Sequence, residues 1–157
     1  MATEAAGKAR LLYVHDPMCS WCWAFRPVLA TLIAALPRGV TVQRVLGGLA
    51  ADDEAPMSQA MRDSLQATWR HIEKTVPGTR FDFSFWTENV PRRSTFRACR
   101  AVIAAREQDS SLEVPMTEAV QNAYYREARN PSERGVLIAL ASGLGCGTER
   151  FAADLDH

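Results

Sequence analysis

Cys19 and Cys22 are separated by Ser20 and Trp21, and this Cys-x-x-Cys is the part of the chain best equipped for chemistry. A cysteine reacts as its thiolate, so what matters is whether the surroundings favour the charged sulfur. At the first turn of a helix, unpaired backbone N–H groups and the positive end of the helix dipole would face Cys19 and do this. Cys22 lies one helical turn later on the same side, close enough to attack a mixed disulfide and release its partner. Cys19 is thus the expected attacking nucleophile and Cys22 the expected resolving thiol. A zinc half-site is the competing reading, but zinc takes four ligands, and Cys99 and Cys146 each stand alone. No metal site is expected.

The elements around the pair support the redox reading. Arg10–His15 is a short run of β-formers, ended by Asp16-Pro17 because proline fixes φ and donates no hydrogen bond. A helix is expected from Cys19 to about Leu36, stopped by Pro37-Arg38-Gly39, and a second strand over Val40–Leu46, stopped by Gly47-Gly48. Strand, helix, strand in so short a stretch makes a βαβ unit with parallel strands, the context in which a Cys-x-x-Cys reads as a redox motif. The chain then turns helical. Met57, Met61, Leu65, Trp69, Ile72 and Val76 recur every three or four residues up to Pro77-Gly78. Phe81, Phe83 and Phe85 alternate and predict a short extended segment. Helices are expected over Ser94–Gln108, Pro115–Arg129 and Pro131–Leu144, with Asn130 as N-cap of the third. Gly145 suits a left-handed position after that helix, and Thr148 a cap for a last helix through Leu155. Two domains are expected, residues 8–50 carrying the Cys-x-x-Cys and residues 51–157 forming a helical block.

Composition narrows the function classes. The 157 residues carry 18 Lys+Arg against 18 Asp+Glu. That neutral balance argues against nucleic acid and against a basic membrane-surface helix. Met1–Arg10 offers no apolar stretch of signal-peptide length, and no run approaches a membrane span, so the expected compartment is the cytoplasm, where thiols stay reduced. No glycine-rich phosphate loop opens a helix. Cys99 shares a helix face with Phe96, Val102 and Ile103 and reads as a small buried hydrophobe; Cys146 reads as an apolar contact behind Gly145. His15 ends the first strand, where its imidazole could support the Cys19 thiolate or simply be buried there. His71 reads as a surface residue, and His157 carries no argument. Trp21 is expected to be exposed beside the sulfurs, as an apolar contact for a substrate. Gly47 and Gly48 lie at the strand end, where parallel sheets bind ligands.

Tyr13–Phe25, YVHDPMCSWCWAF, resembles the active-site segment of the DsbA family of thiol-disulfide oxidoreductases, especially its cytosolic, FrnE-like branch. Gly47-Gly48-Leu49 and Arg97–Ala105 (RACRAVIAA) are similar to that branch as well. The resemblance implies an α/β, thioredoxin-like βαβ core with a helical domain inserted after the second strand. It implies no bound cofactor, a redox partner such as glutathione or a thioredoxin-type reductant, and a disulfide-containing protein or small thiol as substrate. A related branch, glutathione-dependent transferases and isomerases of the same fold, is the alternative function for this chain, but it usually has serine in place of Cys19, so the intact pair favours redox exchange. The family's chain returns from the insertion through a strand preceded by a cis-proline, then adds a hairpin and a helix. Here the prolines stand at 17, 27, 37, 56, 77, 91, 115 and 131, before any such return. The expectation is a chain lacking the C-terminal strands and helix, whose unpaired strand edges favour self-association, and whose alternative fate is a non-catalytic remnant.

Overall fold

The computed structural model describes residues 9–156; the readings that touch residues 1–8 and His157 lie outside them. Strand β1 (Arg10–His15) and strand β2 (Thr41–Leu46) pair in parallel, Arg10 opposite Thr41 and His15 opposite Leu46. Helix α1 (Ser20–Ala34) joins them, completing the expected βαβ unit. In β1 the side chains alternate, so Leu12 and Val14 face outward, 58% and 61% exposed, while Tyr13 and His15 turn toward α1. Among the described residues, β1 is hydrogen-bonded to a strand on one edge only.

The remainder is helical: α2 (Gln59–Thr75), α3 (Phe85–Glu88), α4 (Phe96–Gln108), a 3₁₀ turn at Ser110–Leu112, α5 (Glu113–Arg126), α6 (Arg134–Gly143) and α7 (Thr148–Leu155). Two cores hold it. One is made of small and aliphatic side chains from α4 to α7, with Ala98, Ala101, Val102 and Ala105 letting α4 pack closely against Met116, Leu137 and Phe151. The other is aromatic and centres on Trp69, with Phe81, Trp86 and Tyr125 at ring separations of 4.8, 4.9 and 5.6 Å. Trp23 and Ala24 of α1 belong to this second core, and Met18 packs against both. The helix that carries Cys22 is therefore anchored in the helical block as well as against the sheet. Among the described residues no helix is long and apolar enough to cross a membrane.

Three local expectations are corrected. Phe81, Phe83 and Phe85 do not form an extended segment; they gather around one ring, that of Trp69. Asp82 accepts from the Ser84 N–H at 3.0 Å, which turns the chain into α3, and among the described residues no neighbouring strand is there to hold it straight. Asn130 does not cap α6. Its side chain accepts from Ser132 N and its carbonyl from Glu133 N, closing a turn that delays the helix to Arg134. Nor does Thr148 cap α7: Gly147 holds that position, clamped by Gln108, whose amide both donates to the Gly147 carbonyl and accepts from its N–H. Gly145 is left-handed as expected, at φ +83°. Gly145 N–H bonds back to Ser142 and Cys146 N–H to Ala141, which carries Cys146 into the core.

Candidate active site

Cys19 is the N-cap of α1, with extended backbone angles, and its carbonyl accepts the first helical bond from Trp23 N at 3.0 Å. Its sulfur therefore sits among the unpaired N–H groups of the first turn. The Cys22 thiol donates to it, and the Cys22 and Trp21 backbone N–H groups add further bonds. Together these outweigh partial burial and the nearby Asp16 charge, bringing Cys19 down to about 6. The same contact drives Cys22 far up, because Cys19 takes its hydrogen bond, and burial adds to this. Burial pushes Cys99 up to about 12, with Asp16 adding to it, and burial also raises Cys146. One thiol of four is thus disposed to ionise near neutrality. At pH 7 about nine-tenths of Cys19 should be thiolate, against a few per cent of an ordinary thiol. Alkylation of the reduced protein by iodoacetamide, followed by peptide mapping against pH, should show Cys19 reacting first with a midpoint near 6 and Cys22 lagging.

Two residues that sequence reasoning passed over frame the pair. Tyr13, whose ring stacks on His15 at 5.0 Å and 3°, places its hydroxyl against the Cys22 sulfur. Burial and the adjacent thiol hold that hydroxyl protonated, so it can donate to the Cys22 sulfur but is no base for its proton. Asp16, read in the sequence only as part of a strand break, is 2% exposed and acts as a clasp. One carboxylate oxygen accepts from Met18 N at 2.7 Å; the other accepts from Leu49 N at 2.9 Å and the Thr95 hydroxyl at 2.7 Å, with the Cys99 thiol at 3.5 Å. The loop before Cys19, the loop after β2 and the start of α4 therefore converge on one carboxylate. Asp followed by Pro carries an Asx-turn signal for the Met18 bond; nothing local signals Thr95.

The remaining predicted residues divide. Trp21 is 44% exposed, meets His71 edge-on at 5.9 Å, and shares a shallow depression with Tyr13, Cys22 and Phe25. His15 is buried, and burial and the Arg44 charge keep it below its ordinary value, so the imidazole is neutral rather than a cationic support. Gly47 and Gly48 line a different hollow, with Leu46, Phe96 and Cys99. A Cβ on Gly48 would lie 2.7 Å from the Phe96 ring, and its φ is +61°, so close packing demands glycine there. Among the described residues no cluster of three or more His, Cys, Asp or Glu is placed to hold a metal ion.

A parallel βαβ unit with a dithiol at the mouth of its helix, joined to a helical block, defines a thioredoxin-like protein of the DsbA type. The model of the DSBA-like thioredoxin domain matches residues 11–157, and the chain belongs to that family. Among solved structures it is similar to a candidate protein disulfide isomerase of Nitrosomonas europaea, with TM-score 0.79 and 27% identity over 96% of this chain and 71% of that one. It is likewise similar to the cytosolic disulfide reductase DsbM of Pseudomonas aeruginosa, with TM-score 0.75 and 28% identity over 94% of this chain and 69% of that one. DsbM has also been solved with glutathione. The ClpXP adapter protein SpxH of Halalkalibacterium halodurans is 25% identical over 144 residues, 89% of this chain. The chain spans 46% of the length of that relative and of the SpxH of Bacillus subtilis.

Proposed function

We propose that this chain is a thiol-disulfide oxidoreductase in which Cys19 attacks a substrate disulfide and Cys22 resolves the mixed disulfide. The observation that carries the reading is the placement of Cys19 as N-cap of α1, where the first-turn N–H groups and the Cys22 thiol face its sulfur and lower it, while the same hydrogen bond raises Cys22. A thiolate near neutrality attacks, and a protonated partner one turn away waits for the second step. The family and its disulfide-reducing neighbours support the reaction class. Division into a core part, residues 8–50, and a helical part, residues 51–157, follows the point where strands give way to helices.

The substrates that fit are disulfides of proteins or small thiols, reached across the exposed Trp21 beside the sulfurs. No bound cofactor is required. Glutathione or a thioredoxin-type protein would restore the dithiol, a reading supported by the neighbour solved with glutathione. A cytoplasmic setting suits a dithiol that must be returned to its reduced form, and DsbM is a cytosolic reductase. The edge of β1 that pairs with no strand among the described residues and the outward Leu12 and Val14 support association with a second strand or a second copy. Cys22→Ser is the direct test. Incubated with a disulfide-bonded peptide, this variant should accumulate a mixed disulfide mapped to Cys19 by mass spectrometry, whereas the native dithiol should release the reduced peptide. Absence of a trapped adduct, or an adduct on Cys99 or Cys146 alone, contradicts the proposal.

A further inference from the structure

Behind Cys22 lies a cavity of about 140 Å³ between β1, β2, α1 and α5. Its lining includes Cys22, Tyr13, His15, Arg26, Glu118 and Gln121. Three side-chain atoms of those lining residues, His15 Nε2, Arg26 Nε and Gln121 Oε1, are buried without a hydrogen-bond partner among the described residues. A cavity of this size lined by such atoms has room and partners for water, which needs only about 10–15 Å³ per molecule. We infer that His15 Nε2 takes the proton from Cys22 in the resolving step, through water in this cavity. The inference rests on the dithiol reading above.

The chemistry calls for such an acceptor. In the reduced pair Cys22 donates to the Cys19 thiolate. Once Cys19 is held in a mixed disulfide, that acceptor is gone, yet Cys22 must lose its proton to attack. The groups facing His15 and the cavity sort themselves by chemistry. From β1, Tyr13 keeps its own proton, donates to the Cys22 sulfur and is no base for the Cys22 proton. From α1 and β2, Arg26 and Arg44 are cations with no acceptor. From α5, Gln121 accepts hydrogen bonds but not protons, and Glu118 is exposed. His15 alone is a buried neutral base, fixed by its stack on the same Tyr13 that touches Cys22. Burial and Arg44 disfavour its charged form, while Glu113 and the adjacent Asp16 favour it, so a proton can be taken and passed on.

The step balances. The proton leaves Cys22 Sγ for His15 Nε2 by way of water, and the Cys22 thiolate attacks Cys19 Sγ. The Cys19–Cys22 bond forms as the Cys19–substrate bond breaks, and the substrate sulfur departs as a thiolate that is protonated from solvent. The two cysteines give up the two electrons that reduce the substrate disulfide, and His15 returns its proton to solvent.

Mixing reduced protein with 5,5′-dithiobis(2-nitrobenzoate) in a stopped-flow instrument separates the two events. Attack by Cys19 releases a first equivalent of thionitrobenzoate, and resolution by Cys22 releases a second. In the native chain the second phase should weaken as pH falls through the His15 value, which lies below the ordinary 6.5. His15→Gln should slow that phase at neutral pH by about tenfold or more and move its acid limb up to the ionisation of the Cys22 thiol itself, which lies above its ordinary value, leaving the first phase unchanged. His15→Asn serves if the glutamine variant fails to fold. An unaltered second phase, or the same loss appearing in Glu118→Gln instead, overturns the assignment to His15. A native chain that stops after the first phase overturns the dithiol reading itself.

Discussion

Cys19→Ser should remove turnover of a disulfide substrate, with a loss on the order of a thousandfold or more in an insulin-reduction assay. A serine hydroxyl does not ionise near neutrality and does not attack sulfur, so the helix-terminal N–H groups are left with no nucleophile to stabilise. The fold should be nearly indifferent. Cys19 is only partly buried and belongs to neither core, so the thermal midpoint should shift little while activity disappears. A variant retaining a tenth of native turnover would show that another thiol performs the first attack.

Asp16→Ala carries the other large effect, and it falls on stability. Removing the carboxylate leaves the N–H groups of Met18 and Leu49 and the Thr95 hydroxyl without their acceptor. Hydrogen bonds to a buried charge are worth about 1.5–3 kcal/mol each and are not additive, so the net cost in urea unfolding should be about 3–5 kcal/mol. Asp16→Asn separates geometry from charge. It keeps one acceptor oxygen and much of the clasp, but removes the negative charge that opposes ionisation of Cys19. Its Cys19 should therefore titrate lower than the native thiol, a shift that a purely structural carboxylate would not produce.

The frame of this site was legible because the rules that set it are local. β-formers followed by Asp16-Pro17 fix where β1 stops, and the Cys-x-x-Cys after that break fixes which thiol meets the helix terminus. Cys146 could be placed in the core because a left-handed Gly145 dictates where the next residue points. What stayed hidden depends on long-range packing. Thr95 reaches Asp16 from 79 residues away, and the Phe81–Phe85 alternation answers to Trp69 rather than to a neighbouring strand. Tyr13 read as one more β-former; only the packing of α1 over β1 sets its hydroxyl against Cys22.

The central claim is that Cys19 and Cys22 form one exchanging pair, and intact-protein and peptide mass spectrometry after equilibration with oxidised glutathione tests it most directly. The account predicts a loss of two hydrogens, a Cys19–Cys22 bridge in the peptide map, reduced glutathione released, and Cys99 and Cys146 still free thiols. A pair that stays reduced, or oxidation that falls on Cys99 or Cys146 while Cys19 and Cys22 remain thiols, would contradict it.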